Sequence, residues 1–153
     1  MNNVLALNEA KSFGYDDCLM ILDNGNITEC SRSNIWLVFG DTVTTPIGNN
    51  LRGITRKQLN LAMSDKFKVN LKPKPIKMSK TLKHIERDVK VDEIEQATEA
   101  FITSTTRDVW PVCEIKLRDG WSKSFPQGGG KITRQLRQIF AEHLSQHVKS
   151  VVF

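Results

Sequence analysis

The chain has 153 residues, 39% of them hydrophobic and 25% charged, which fits one globular domain with a modest core. No apolar run approaches the length of a membrane-spanning helix, and the N-terminus shows no basic stretch followed by an apolar one, so no signal peptide is expected. The net charge of +5 reflects a lysine excess between residues 66 and 90, where Phe67 is the only aromatic; without stacking aromatics this reads as a solvated lysine-rich loop and not as a nucleic-acid surface. The three cysteines, Cys18, Cys30 and Cys113, are widely spaced and form no Cys-x-x-Cys, which argues against both a disulfide framework and a zinc site and leaves the cytoplasm as the default compartment.

In chain order, residues 4–14 read as a helix end, with Leu5, Ala6 and Ala10 at helical spacing and Gly14 as the stop. Residues 17–22 alternate as a strand. Asp23-Asn24-Gly25-Asn26 is a turn signal, and 27–30 returns as the second strand of a hairpin. Residues 35–39 form a short apolar run, the pattern of a buried strand, and 42–45 pair back after Gly40-Asp41. A helix capped by Thr55 is predicted next, with Leu59, Leu61, Ala62 and Met63 as its apolar positions. A strand over 67–71 is broken by Lys72-Pro73-Lys74-Pro75. Val89 and Val91 predict another strand, and 92–97 a short helix. Residues 100–103 and 109–115 are β-type, the latter interrupted by Pro111. A glycine-rich loop over 124–130 leads into an amphipathic helix over 132–148, with Leu136, Ile139, Phe140 and Leu144 on one face. Mixed strands and helices with hairpin-length connections predict an α/β or α+β domain with an antiparallel-rich sheet.

Three stretches are candidates for chemistry. Gly53-Ile54-Thr55-Arg56 opens a helix: the glycine allows close backbone approach, and the N–H groups of Ile54 and Thr55 lie unpaired at the positive end of the helix dipole. An anion such as phosphate is favoured there, although an ordinary capped helix gives the same pattern. Glu29, near the end of the predicted hairpin, is placed to face a protonated ring nitrogen, or else is a solvated acid on a turn. Thr105 and Thr106 follow a β run and offer hydroxyls and N–H groups to a phosphate or carboxylate; threonine at a strand end is also simple β-propensity. Two other patterns are set aside. Gly130-Lys131-Ile132-Thr133 lacks the first glycine of a phosphate-binding loop and has Ile132 at its Ser/Thr position. His143 and His147 are spaced i, i+4 but lack a third ligand.

Taken together, the segments LALNEAKSFGYDDCLMILDNGNITECSRSNIWLV, LRGITR, EQATEAFITSTTRDVWPV and GGGKITRQL resemble, in order, the large C-terminal domain of the class IV (fold type IV) pyridoxal-phosphate enzymes. That family includes branched-chain aminotransferases, D-amino-acid aminotransferases and aminodeoxychorismate lyase, and the resemblance runs from about Val4 to Phe140. It implies a D-amino-acid aminotransferase-like fold over residues 1–153, pyridoxal 5'-phosphate as cofactor, and amino acids (branched-chain ones first) and 2-oxo acids as substrates of the intact enzyme. By resemblance, Glu29 contacts the pyridine nitrogen. Ile54 and Thr55 bind the phosphate through backbone N–H groups, and Thr105 binds it too. The Thr106 N–H holds the substrate α-carboxylate. Asn34 supports the strand that carries Glu29, while Arg56 and residues 128–133 are structural.

The resemblance also implies what the chain does not carry. The family's Schiff-base lysine and a nearby tyrosine fall before Met1, so the chain is expected to be truncated, without the small N-terminal domain, and inactive alone, because covalent catalysis needs an amine at the cofactor aldehyde. Lys11 is the nearest lysine but is expected on an outward helix face. A homodimer is expected for the intact enzyme. The alternatives within the family are D-amino-acid aminotransferase and aminodeoxychorismate lyase; the alternative of another class is a non-catalytic basic binding or assembly module that keeps the fold. The Lys/Pro-rich segment 72–83 is expected to be an extra surface loop.

Overall fold

A computed structural model describes residues 2–64 and 82–149 of the protein. The elements are α1 (Asn2–Ser12), β1 (Leu19–Ile21), β2 (Ile27–Cys30), β3 (Asn34–Phe39), β4 (Thr42–Thr45), α2 (Ile54–Met63), β5 (Lys83–Glu86), a 3₁₀ turn (Val91–Gln96), β6 (Glu99–Ser104), β7 (Asp108–Val112), β8 (Glu114–Lys116), β9 (Ser122–Ser124) and α3 (Lys131–Lys149). The main sheet has the order β5-β4-β3-β6-β7. Only β4 and β5 pair in parallel; the other pairs are antiparallel. The hairpins β1-β2 and β8-β9 are separate two-stranded sheets. This is the mixed, antiparallel-rich α/β architecture expected from the sequence.

The period of two along the central strands divides the core between the two faces of the sheet. On one face Ile35 and Leu37 of β3 and Ala100 and Ile102 of β6 pack with Ile27, Val89, Ile94 and Phe125. On the other, Trp36 and Val38 of β3 and Phe101 of β6 pack with Leu59 of α2 and Leu136 and Phe140 of α3. Trp36 and Phe101 stack with ring centroids 5.5 Å apart and planes 9° apart. Burying one such side chain contributes about 1.5–3 kcal/mol. The two helices therefore cover one face, and the end of β6, the β2–β3 connection and the start of α2 are left together at one rim.

The hairpin, the buried third strand and both long helices form where the sequence places them. Several expectations need correction. Thr55 does not cap α2: Gly53 is the N-cap, without a side-chain hydrogen bond, and Thr55 lies inside the first turn. Val89 and Val91 do not form a strand. The Val89 carbonyl accepts from Ile27 N, Val91 N donates to the Gly25 carbonyl, and Val91 begins the 3₁₀ turn. The strand of this region is β5, whose Lys83-His84-Ile85-Glu86 shows no hydrophobic alternation. Pro111 does not interrupt its strand. It sits inside β7, an edge strand, where its missing N–H is tolerated. The break comes at Cys113, where the chain leaves the main sheet for β8. The strand expected over 67–71, the break at 72–75 and nearly all of the segment 72–83 lie outside the described residues.

Candidate functional site

The rim holds a cleft of about 430 Å³, within the range of small-molecule sites. Glu29, Ile54, Thr55 and Thr105 all line it, although they come from β2, α2 and the turn after β6. Thr106 does not line it. It lies exposed one residue further along the turn, its hydroxyl 3.4 Å from that of Ser104. Lys11 is exposed on the last turn of α1 and does not line the cleft either.

The start of α2 is an open anion seat. Gly53 N donates to the Leu51 carbonyl at 2.9 Å, and regular helical bonding begins with Lys57 N on the Gly53 carbonyl. The N–H groups of Ile54, Thr55 and Arg56 have no protein acceptor among the described residues, and no side chain caps the helix. Such donors carry the positive end of the dipole, worth about 0.3–1 kcal/mol toward an anion at an exposed helix end. The Thr55 hydroxyl, on a buried residue, adds a donor in the same turn.

Gly53 has an ordinary backbone conformation, φ −58° and ψ 145°. It is required because a Cβ there would stand 2.5 Å from Asn34 Oδ1. Asn34 is 5% exposed, and its Nδ2 donates to the Leu51 carbonyl at 2.7 Å. The close approach at Gly53 is therefore to Asn34, and Asn34 braces the 51–53 turn instead of the strand of Glu29. Arg56 points away from the cleft into the fold. It is 4% exposed and bridges Asn50 Oδ1 at 2.7 Å and Glu86 Oε1 at 3.0 Å. Burial pushes the Glu86 carboxyl up, but hydrogen bonds from Arg56 and Asn60 and the charge of Arg56 outweigh it and hold the group below its usual value.

Glu29 lines the same cleft from β2. Its Oε2 accepts from Leu51 N at 2.8 Å, which ties β2 to the turn before α2. The loop that follows it is clamped by Asp17. Asp17 Oδ1 accepts from Cys18 N at 2.8 Å, from Ser31 N at 3.1 Å and from the Ser31 hydroxyl, and Oδ2 accepts from Ser33 Oγ at 3.4 Å. Behind the cleft, Thr103 Oγ1 accepts from Trp36 Nε1 at 2.9 Å. Ser31, Arg32, Arg52 and Thr103 also line the cleft and were not singled out from sequence. Their only sequence signal was adjacency to Glu29, Gly53 and Thr105.

The second long helix shows what an occupied N-terminus looks like. The carboxylate of Glu99, on β6, accepts from Ile132 N at 3.0 Å and Thr133 N at 2.7 Å. A Cβ on Gly130 would run into that carboxylate. The turn Gly130-Lys131-Ile132-Thr133 is thus filled by the protein's own anion, as its sequence departures from a phosphate loop implied. His143 Nε2 hydrogen-bonds with Gln58 Oε1 at 2.8 Å, joining α3 to α2. The His147 side chain is outside the described residues, and no metal-binding group of His, Cys, Asp and Glu occurs among them.

One cleft at the rim of an antiparallel-rich α/β sheet thus holds both unpaired helical N–H groups, which suit an anion, and a carboxylate, which suits a protonated group. The profile of the amino-transferase class IV family matches residues 1–115. The chain is 36% identical over 138 residues to branched-chain-amino-acid aminotransferase 1, mitochondrial, of Arabidopsis thaliana, covering 87% of this chain and 32% of that protein. It is 30% identical over 159 residues to the D-alanine aminotransferase of Listeria monocytogenes, covering 100% and 47%. Among solved structures, the branched-chain aminotransferase of Thermoproteus uzoniensis with norvaline superposes with a TM-score of 0.73 at 26% identity, covering 92% of this chain and 41% of that one. An aminotransferase of Brucella abortus bound to the co-factor PLP gives 0.71 at 25%, covering 92% and 44%. The chain belongs to the class IV aminotransferase family, and it spans less than half the length of these relatives.

Proposed function

We propose that the chain forms the cofactor seat of a pyridoxal 5'-phosphate-dependent aminotransferase, acting in the whole protein on branched-chain amino acids and 2-oxo acids. The observation that carries this is the open N-terminus of α2 and the Glu29 carboxylate lining one cleft. The donor set suits the cofactor: free N–H groups of Ile54 and Thr55 for the phosphate, and a carboxylate for the ring nitrogen. The contrast with α3, whose first N–H groups are taken by Glu99, supports the assignment of the anion to α2.

In this reading Ile54 and Thr55 hold the phosphate through their N–H groups, with the Thr55 and Thr105 hydroxyls beside them. Glu29 keeps a proton on the pyridine nitrogen; each pKa unit of that support is worth about 1.4 kcal/mol. When bound, the cofactor supplies a cationic ring that withdraws electrons from the substrate carbon losing its proton. Leu51 N–H orients the Glu29 carboxylate toward the ring. The Thr106 N–H, at the outer edge, holds the substrate carboxylate. No lysine occurs among the described residues lining the cleft. The amine that captures the aldehyde comes, in this reading, from the rest of the whole protein, and the intact enzyme is a cytoplasmic homodimer.

The branched-chain assignment rests on relatives so named in Arabidopsis thaliana, Aquifex aeolicus and Pseudomonas aeruginosa. Joining the chain to the N-terminal half of a class IV enzyme that carries the lysine provides the test. The fusion should take up the cofactor and exchange amino groups with a branched-chain amino acid, and Glu29→Ala should weaken both. A folded fusion that takes up no cofactor would rule out the assignment.

A further inference from the structure

Arg32 and Arg52 line the same cleft and have no role in the reading above. Arg32 lies in the loop after Glu29, and Arg52 immediately precedes Gly53. Both are exposed, and neither makes a hydrogen bond or ion pair with another described residue. Four other arginines are engaged, Arg56 with Glu86, Arg87 with Glu93, Arg118 with Glu9 and Arg137 over Trp110, whereas Arg107 and Arg134 do not line the cleft. The acid in the cleft, Glu29, is directed to Leu51 N and pairs with neither guanidinium. Two arginines against one glutamate leave the lining with a net charge of +1. Unpaired guanidinium groups in the same cleft as free helical N–H groups complement a dianion better than either feature alone, since a guanidinium offers planar paired donors that match phosphate oxygens.

We infer that Arg32 and Arg52 are cofactor-binding residues that supply cationic contacts for the phosphate held at the start of α2, and that they set the preference of this cleft for a phosphorylated over an unphosphorylated ligand. The inference rests on the function proposed above and adds two residues to it. Because both residues are exposed, their replacement should leave the fold intact and be read in ligand binding.

The test measures binding of pyridoxal 5'-phosphate and of pyridoxal to the full chain by calorimetry or fluorescence, for the wild type, for Arg32→Ala/Arg52→Ala, and for Arg134→Ala, which removes the same kind of charge from α3 outside the cleft. The double variant should bind the phosphorylated ligand about tenfold more weakly, the low end for losing hydrogen bonds to a charged group, with pyridoxal binding unchanged. Arg134→Ala should match the wild type, and Arg32→Lys/Arg52→Lys should recover part of the loss. A wild type that prefers the phosphorylated ligand and a double variant that keeps that preference would overturn this inference and leave the proposed function standing. A wild type that binds neither ligand would overturn both.

Discussion

Asn34 Oδ1 occupies the space where a side chain at Gly53 would begin, 2.5 Å from the position of a Cβ. The same amide donates to the Leu51 carbonyl at 2.7 Å, so one buried side chain sets the path of the turn and the residue type at its end. Gly53→Ala must displace Asn34 or the turn. It should destabilise the fold by about 1–3 kcal/mol, as overpacking of a filled site does. It should also weaken cofactor binding, because the N–H groups of Ile54 and Thr55 move with the turn. Asn34→Ala should relieve much of the clash in the double variant, which denaturation of the single and double variants would reveal as non-additivity.

The Glu99 cap predicts a different pattern. Glu99→Ala leaves the N–H groups of Ile132 and Thr133 without their acceptor, a loss of about 1–3 kcal/mol for buried donors. Gly130→Ala should destabilise as well, since its Cβ meets the carboxylate. Neither change touches the cleft. Chemical denaturation midpoints should fall in both, while the cofactor affinity of the folded molecules stays at the wild-type value.

Strand β5 carries a pH dependence. Burial holds the His84 imidazole below its usual value, aided by the Arg56 charge and opposed by Glu86. As pH falls through about 6.5 the unfolded chain takes up a proton that the folded chain refuses, so stability declines. Glu86 is held below its usual value, so the stability it contributes is present above about pH 4.3 and is lost as pH falls through its folded value. Urea midpoints measured from pH 8 to pH 3 should therefore fall in two stages. His84→Phe should remove the first stage, and Glu86→Gln should reduce the second, to which Glu93, held below its usual value by Arg87, also contributes.

Cysteine chemistry should follow burial. Burial, with the Asp17 charge as a lesser cause, pushes the Cys30 thiol far above its usual value, and Cys30 belongs to the core beside Ile27 and Ile35. A thiol kept neutral is a poor nucleophile. Iodoacetamide at pH 8 should label Cys30 only after unfolding, while the half-buried Cys113 reacts in the native protein. Peptide mapping of labelled sites provides the check.

Much of the fold was legible because its signals are local. The Asp23-Asn24-Gly25-Asn26 turn and the apolar run of β3 need only their neighbours in sequence, and both were placed. β5 was not, because Lys83-His84-Ile85-Glu86 owes its strand conformation to pairing with β4 and lacks any alternation of its own. Val89 and Val91 misled for the opposite reason: their β-propensity is absorbed by contacts with the hairpin turn. Glu29, Ile54, Thr55 and Thr105, which line one cleft, each read alone as an ordinary turn, helix start or strand end, and only the family resemblance of their segments taken in order sets them together. Asp17, Glu99, Arg32 and Arg52 depend on partners distant along the chain or on a shared cleft, and no spacing in the sequence points to them. Glu99, for example, reaches across 34 residues to Thr133.

Two helix N-termini, those of α2 and α3, compete for the phosphate, and only that of α2 is open. A titration of the ¹⁵N-labelled chain with pyridoxal 5'-phosphate, followed through backbone amide resonances, reads this directly. The largest saturable shifts should occur at the amides of Ile54 and Thr55, with those of Ile132 and Thr133 unmoved behind the Glu99 carboxylate. Shifts confined to Ile132 and Thr133, or no saturable shift at Ile54 and Thr55, would contradict it.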